Sequence, residues 1–457
     1  MFYQSPAGLF ERVRLLTRRR VELGARGWSL VVAALAVFVV VIEIVAIRFG
    51  IHGPIDRLAH DFVGRAEIGE IKLAGLMLAL VCMPSRLRWW TFGAAVALET
   101  VWNVQRVVVG HDLTVGNGIL WALVGTVAFA VWKLRDGERT ATLKAVGLGM
   151  MLIVMGRVGD VWLVLSTKAN AKVLDGYVEL ADRALGSPSW AVGRIVSEST
   201  VLTQTCGRVY MLLPVGAAVI AFFQLRNSAR DGFPRHHIVR TFLLIGMIGP
   251  LIYFIFPVVG PTYAFGHDVA GAGWQDVWPW FTPDGSAPTP TYFDQHIARN
   301  CMPSLHTAWA MAIFLHGWRG STASRVFGTF WLIATTGATL GFGYHYAVDV
   351  LAGMVFTLTL EAALTRPETG VTRVRMAVVA LGAGLFSALL LMTRFAAPWL
   401  ATGGALSVLL LVGPVVVAAA GFLLVERPAL FSRTDPADGP CVRPRRRTPQ
   451  RTSGHGG

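Results

Sequence analysis

Apolar runs of about twenty residues recur from Trp28 almost to the end of the chain, each long enough to cross a bilayer as a helix. Twelve spans can be drawn, at roughly 28–48, 71–84, 89–109, 117–134, 144–166, 200–225, 239–258, 302–318, 325–342, 346–364, 375–393 and 403–425. Inside a bilayer every backbone N–H and C=O must be satisfied within the segment itself, so such runs are helices. At 54% hydrophobic and 15% charged residues the chain is too apolar for a soluble globular protein. The expected fold class is an all-α polytopic membrane protein.

The formal charge of +14 raises the question of nucleic acid. The arginines, however, sit in short clusters between apolar runs and in the tail, as in cytoplasmic membrane loops, and nucleic-acid binding is set aside. Arg12, Arg14, Arg18, Arg19, Arg20 and Arg26 precede the first run, which is too long for a cleavable signal, so residues 1–27 read as a cytoplasmic basic N-terminus. With the N-terminus inside, alternate loops hold Arg86 and Arg88, then Lys133, Arg135, Arg139 and Lys144, then Arg226, Arg230, Arg235 and Arg240. Arg319 and Arg325 follow, then Arg366, Arg373 and Arg375, and both termini are expected in the cytoplasm of a cell-membrane protein. Two outside loops are long. Residues 170–199 have amphipathic stretches suited to interfacial helices, and 261–300 is rich in Pro, Gly and Trp (Trp274, Trp278, Trp280), suited to a lid or an interfacial anchor. The tail, 426–457, reads as basic, cytoplasmic and disordered.

Within this framework Cys301 to Gly353 is the unusual stretch. Pro-Ser-Leu-His (303–306) opens the eighth span, and His345-x-x-x-Asp349 opens the tenth, so both mouths face outward in this topology. Helix N-termini carry unpaired N–H groups and the positive dipole end, which suits anions. Pro303 suits the first helical position, and Ser304 adds a hydroxyl. His345 and Asp349 share one helix face, so the carboxylate is expected to hold Nδ1–H and leave Nε2 to attack. His306 is placed to give a proton to a departing oxygen. Taken singly, a histidine at a helix end is a wetted interfacial residue; the conjunction, with small residues Ala334 to Ala338 between the two mouths, carries the catalytic reading. Of the four cysteines, Cys206 and Cys301 lie near the outer face, where a bridge is permitted and two free thiols are the simpler expectation.

The 301–306 and 345–349 segments resemble the second and third signatures of the type 2 phosphatidic acid phosphatase superfamily. More closely they resemble its inositol-phosphorylceramide-synthase-like branch, which favours Pro-Ser-Leu-His. The resemblance covers about 144–365, which it makes a catalytic six-helix core, between a four-helix extension at 28–134 and two C-terminal helices at 375–425. It implies His345 as the nucleophile forming a phosphohistidine, Asp349 as its partner, His306 as the acid, Ser304 as a phosphate ligand, and catalysis without cofactor or metal. The family's first-signature Lys and Arg-Pro are absent; Tyr253, Pro257, Gly260, Pro261, Thr262 and Tyr263 stand there, similar to the synthase-like branch, with Tyr263 beside the phosphate. The third signature's Ser-Arg is Ala338-Thr339 here, so Arg299, Arg157 and Arg208 become the candidate cations, with Arg157 and Asp160 alternatively an ion pair. The resemblance implies a lipid phosphate substrate taken from the bilayer. The synthase-like signatures favour transfer of a phosphoinositol-type headgroup, and the plain signature set leaves hydrolysis open, since water and an alcohol attack the same intermediate. A proton-coupled transporter is the reading from another class; unrepeated halves and a polar cluster at the mouths rather than the midplane speak against it. Glu43, Glu99 and Arg106 read as a packing network of the first helices.

Overall fold

The computed structural model describes residues 25–227, 234, 236–266, 288–294, 296–365 and 372–426. The arginines before Arg26, Arg230, Arg235 and Arg366, the Trp274, Trp278 and Trp280 cluster and the basic tail lie outside the described residues. All twelve apolar runs are helical. The N-terminal part comprises α1 (Ala25–Arg48), a short α2 (Pro54–Val63), α3 (Gly69–Cys82), α4 (Ser85–Val108), α5 (Asn117–Lys133) and a 34-residue α6 (Asp136–Ala169). Two short helices follow, α7 (Asp175–Arg183) and α8 (Pro188–Ser197), where interfacial helices were expected. The sixth run is a broken helix, α9 (Thr200–Met211) and α10 (Leu213–Leu225), bent by 62°. Pro214 is the cause: it has no N–H to give, and its ring excludes the carbonyl of Tyr210 from the helical position.

After α11 (Ile238–Ile255) and α12 (Pro261–Gly266) come α13 (Leu305–Trp318), α14 (Thr322–Gly341) and α15 (Ala347–Leu364). The chain ends in α16 (Arg373–Phe395), α17 (Ala397–Thr402) and α18 (Gly404–Glu426). By length and composition α6, α11, α15, α16 and α18 are fit to cross a membrane, and α9 with α10 makes a sixth if counted as one span. Helices α3 and α13, at 14 residues, and α5, at 17, are shorter than the about 20 a bilayer core requires. The protein is an all-α polytopic membrane protein whose helices differ in how fully they span.

The N-terminal helices are fused to the rest by packing. Gly75 of α3 and Gly149 of α6 cross so closely that a Cβ on Gly149 would stand 2.3 Å from the Gly75 carbonyl. One hydrophobic cluster runs from Leu76, Leu120 and Val146 through Leu213, Ala217 and Ile238 to Ala310 and Ile313. Glu43 caps α2 through the Ile55 N–H (2.7 Å), Glu99 takes the N–H groups of Gly116 and Ile119 at the start of α5, and Arg106 donates to Gly64 O and Asn117 Oδ1. These three act as packing and capping groups.

Helices α13 and α15 run parallel with their N-termini together. Gly353 of α15 lies against the Ser304 carbonyl, Thr357 Oγ1 donates to Ala308 O, and the Ser304 N–H donates to Asp349 O at 3.0 Å. Among the small residues expected to permit close packing, Ala338 packs with Val196 of α8 and Cys206 of α9. Two loops are tied across this end by a two-residue antiparallel pair, β1 (Lys172–Val173) with β2 (Thr291–Tyr292). A Cβ at Gly353 would sit 2.5 Å from the Ser304 carbonyl, which is backbone and cannot yield as a side chain can. Gly353→Ala is therefore expected to cost about 1–3 kcal/mol, read as a lowered thermal midpoint of the detergent-solubilised protein, with activity falling in step.

Candidate active site

Helix α13 begins at Leu305, two residues later than Pro303, which was expected at the first helical position. Met302–Pro303 is a cis peptide within a turn, and Ser304 is the N-cap, its Oγ accepting from the Thr307 N–H (3.3 Å) and lying 3.0 Å from Thr307 Oγ1. A serine is well suited there because its oxygen satisfies one of the helix's unpaired N–H groups. Tyr253 of α11 donates from its hydroxyl to Pro303 O, fixing the turn from behind. His306, one residue into the helix, is half-buried, and its ring stacks on Tyr210 with centroids 3.8 Å apart. Tyr210 is the residue whose carbonyl Pro214 displaces, so the break in the sixth run delivers the ring to this position.

The second mouth is built differently from expectation. Its helix N-terminus is not left open for an anion: the Ala347 N–H donates to Asp182 Oδ1 (2.5 Å) and the Tyr346 N–H to Asp349 Oδ2 (2.8 Å). Nor does Asp349 hold the imidazole directly. His345 Nδ1 donates to the carbonyl of Cys301 at 2.9 Å, while Asp349 Oδ2 stands 3.7 Å away and takes the Cys301 thiol at 2.6 Å. A carbonyl can only accept, so the proton is on Nδ1 and Nε2 keeps its lone pair. The His345 carbonyl is held by the Ser189 hydroxyl, and the His345 N–H reaches Thr339 O. The two mouths thus meet: the His345 ring is bonded to Cys301, the residue that opens the other signature. Tyr210, stacked on His306, is also 5.5 Å from Tyr344, the neighbour of His345, and Tyr263 stacks on Tyr344 at 6.2 Å.

Two carboxylates that the sequence reading missed organise this end. Asp175 is buried and accepts from the Val259 and Gly260 N–H groups and the Tyr346 hydroxyl, all within 3.1 Å. It joins the Pro257–Gly260 segment to the start of α15. That segment is pinned again where Thr262 bonds Gly343 O and Phe342 O, and Gly260 takes φ +98° beneath the Tyr344 carbonyl, where no Cβ fits. Burial pushes the Asp175 carboxyl up to about 7 and that of Asp182 up to about 8, the backbone N–H bonds opposing. Their Asp-x-x-x-x-x-x-Asp spacing lies in the amphipathic 173–180 stretch and its continuation, which offered no signal beyond helix.

Two of the three candidate cations are engaged elsewhere. Arg299 is fully buried and donates to four backbone carbonyls, of Asn170, Phe293, Asp294 and Ile297, so it organises the loop rather than facing a substrate. Arg157 forms the anticipated pair with Asp160 (3.0 Å) and, unforeseen, a two-pronged pair with the buried Asp61 of α2, which Lys72 also meets at 2.9 Å, while the exposed Glu67 stands 3.4 Å from Arg157. Arg208 is exposed and has no ion-pair partner among the described residues. Cys206 and Cys301 are free thiols.

At the opposite ends of the same helices a second buried network went unread. Glu361 of α15 accepts from His316 Nε2 (2.8 Å), His236 Nε2 (3.0 Å), Thr241 Oγ1 (2.5 Å) and Arg319 (3.0 Å), and Arg319 also pairs with Glu426 of α18 (2.6 Å). The amide of Gln224 accepts from the Ile238 N–H, so its NH2 faces His316 Nδ1 and leaves the proton on Nε2. Both this trio of His236, His316 and Glu361 and that of Cys301, His345 and Asp349 bring metal-type donors within 4.8 Å, already joined internally by hydrogen bonds.

Residues 178–363 match the family model described as the PAP2 superfamily, and residues 27–165 match a domain of unknown function, DUF5933. No curated protein and no solved structure matches the chain. The PAP2 match spans both mouths and supports assignment to the type 2 phosphatidic acid phosphatase superfamily, and with it a phosphatase or phosphotransferase. The match ends one residue short of Leu364, the last of α15, and begins within α7, so Asp182, Asp349 and both histidines fall inside it.

The raised Asp182 carboxyl has a measurable consequence. Its folded pKa, about 8, lies above its ordinary value of 3.8, so the protonated form favours the fold. The stability it contributes is present below pH 3.8 and is lost as pH rises through 8. Between pH 5 and 9 the thermal midpoint should fall more steeply in the native protein than in Asp182→Asn, whose amide has no proton to lose; parallel slopes would contradict the assignment.

Proposed function

We propose that the PAP2-superfamily domain cleaves phosphate esters of membrane lipids at the extracytoplasmic face, through a phosphohistidine on Nε2 of His345. The observation that carries this reading is the His345 Nδ1–H bond to the Cys301 carbonyl, which leaves the Nε2 lone pair available for attack. Nε2 forms the N–P bond in line as the P–O bond to the departing alkoxide breaks, and His306 gives its proton to that oxygen. Water or an acceptor hydroxyl then attacks phosphorus, giving its proton back to His306, and the N–P bond breaks. Asp349, 3.7 Å from Nδ1, supplies negative charge near the imidazolium formed on the way. Ser304, Tyr263 and Arg208 are the remaining candidates to meet the phosphate oxygens, whereas Arg299 and Arg157 are occupied by their own partners. Residues 144–365 form the catalytic core in this reading, and the arginine-rich loops and both termini face the cytoplasm.

One observation favours headgroup transfer as the second reading. With Arg299 and Arg157 engaged, the site offers hydroxyls and few cations. A phosphodiester carries one negative charge and a phosphate monoester nearly two, so a cation-poor site suits a diester donor such as a phosphoinositol lipid.

Purified protein in detergent micelles would be given diacylglycerol phosphate or phosphatidylinositol, following inorganic phosphate and new phospholipid separately. His345→Ala should abolish both signals, and His306→Ala should lower them by about 10²–10⁴-fold. Full turnover in His345→Ala would overturn the mechanism.

A further inference from the structure

Cys301 touches the proposed nucleophile and its carboxylate at once. Its carbonyl accepts His345 Nδ1–H at 2.9 Å, and its thiol has two acceptors in reach, Asp349 Oδ2 at 2.6 Å and the Tyr344 carbonyl at 3.2 Å, of which the carboxylate is the nearer. The same Oδ2 takes the Tyr346 N–H, so the oxygen nearest His345 already has two donors, and Nδ1 is left at 3.7 Å. The other oxygen, Oδ1, is buried with no hydrogen-bond partner. A carboxylate with an idle oxygen beside an imidazole 3.7 Å away needs a small side-chain rotation to close that gap. What opposes closure is the Nδ1–H bond to the Cys301 carbonyl together with the pair of bonds on Oδ2, and of that pair only the thiol's comes from a side chain.

We propose that Cys301 is a positioning residue whose thiol holds Asp349 off His345 and so sets how much carboxylate charge the imidazole feels. The inference rests on the reading of His345 as nucleophile. A carboxylate in direct contact favours imidazolium over imidazole and stabilises a phosphorylated ring; one shared with a thiol does so less. An intermediate held too firmly breaks down slowly, so the thiol keeps attack and release in balance. Cys301 is suited to the task because it remains S–H: burial first, then the nearby Asp349 and Asp175 carboxylates, hold its thiol well above the ordinary range. The other titratable groups facing this pair are Tyr253 on α11, Tyr210 on α9, Tyr346 at the start of α15, and Asp175 and Asp182 on α7, with His306 on α13 beside His345. None of these donates to Asp349 through its side chain among the described contacts, which leaves the thiol as the adjustable partner.

The test is the pH dependence of kcat/KM for the full-length protein in micelles of diacylglycerol phosphate or phosphatidylinositol, whichever is turned over. Cys301→Ala removes the thiol and keeps the carbonyl. Asp349 then closes on His345, the imidazole holds its proton to higher pH, and the acidic limb should move up by about one unit. Cys301→Ser restores a donor and should return the limb to its native position, which a loss of packing alone would not predict. If the alanine variant fails to fold, Cys301→Val fills the vacated space and gives the same readout. A profile for the alanine or valine variant that superimposes on the native one, or a serine variant shifted as far as alanine, would overturn the proposal. His345→Ala is run alongside: activity surviving there removes the nucleophile assignment and this inference with it, whereas an inactive His345→Ala with an unmoved Cys301→Ala profile removes this inference alone.

Discussion

Unpaired backbone N–H groups at the start of α15 are the constraint on which the site depends. A buried helix N-terminus must find acceptors, and here they are carboxylates: Asp182 for Ala347 and Asp349 for Tyr346. Asp175 extends the arrangement through the Tyr346 hydroxyl to the Val259 and Gly260 N–H groups, so one cluster of buried acids sets the start of α15, the Pro257–Gly260 segment and the seat of α7. The imidazole of His345 is oriented as a by-product. With its own main chain held by Ser189 and Thr339 O, its ring falls against the Cys301 carbonyl, and the tautomer follows.

That cluster also explains why the site is poor in free cations. Acids that cap a helix end occupy the place where a phosphate would otherwise bind, and the arginines near them serve structure. Arg299 ties four carbonyls of the loop ahead of Cys301, and Arg157 answers Asp61 in the N-terminal helices. A buried guanidinium needs every donor satisfied, and backbone carbonyls meet that need without a second buried charge.

Much of the fold was legible because the bilayer imposes a simple rule: each apolar run had one regular structure available to it, and all twelve are helices. The pairing of the two mouths was legible as well, since Pro303 to His306 and His345 to Asp349 combine residues that rarely share a membrane boundary. What was hidden depends on contacts between distant parts of the chain. Asp182 lies 165 residues before the Ala347 N–H it binds and Asp175 lies 84 to 171 residues before its partners, and nothing local distinguishes them from solvated acids on an amphipathic helix. Arg299 looked like a phosphate ligand because proximity in sequence to Cys301 says nothing about which way a long side chain turns. The His345–Asp349 spacing correctly put the two on one helix face, yet spacing cannot reveal that a thiol from another segment would take the carboxylate first. Pro214, by contrast, was readable in principle as a helix breaker, and it was passed over inside a long apolar run.

The hydrophobic cluster linking helices α2 to α6 to α10, α11 and α13 is made of apolar side chains on both sides. In water such a seam would be sealed by the cost of wetting it. Between acyl chains that cost is nearly absent, because lipid solvates leucine as well as leucine does. The join is consequently one of shape, kept by close glycine crossings such as Gly75 with Gly149, and a lipid tail is its natural competitor. Bilayer composition therefore has a direct route to the stiffness of the scaffold that carries His306, acting through a seam that includes Ala310 and Ile313 of the same helix.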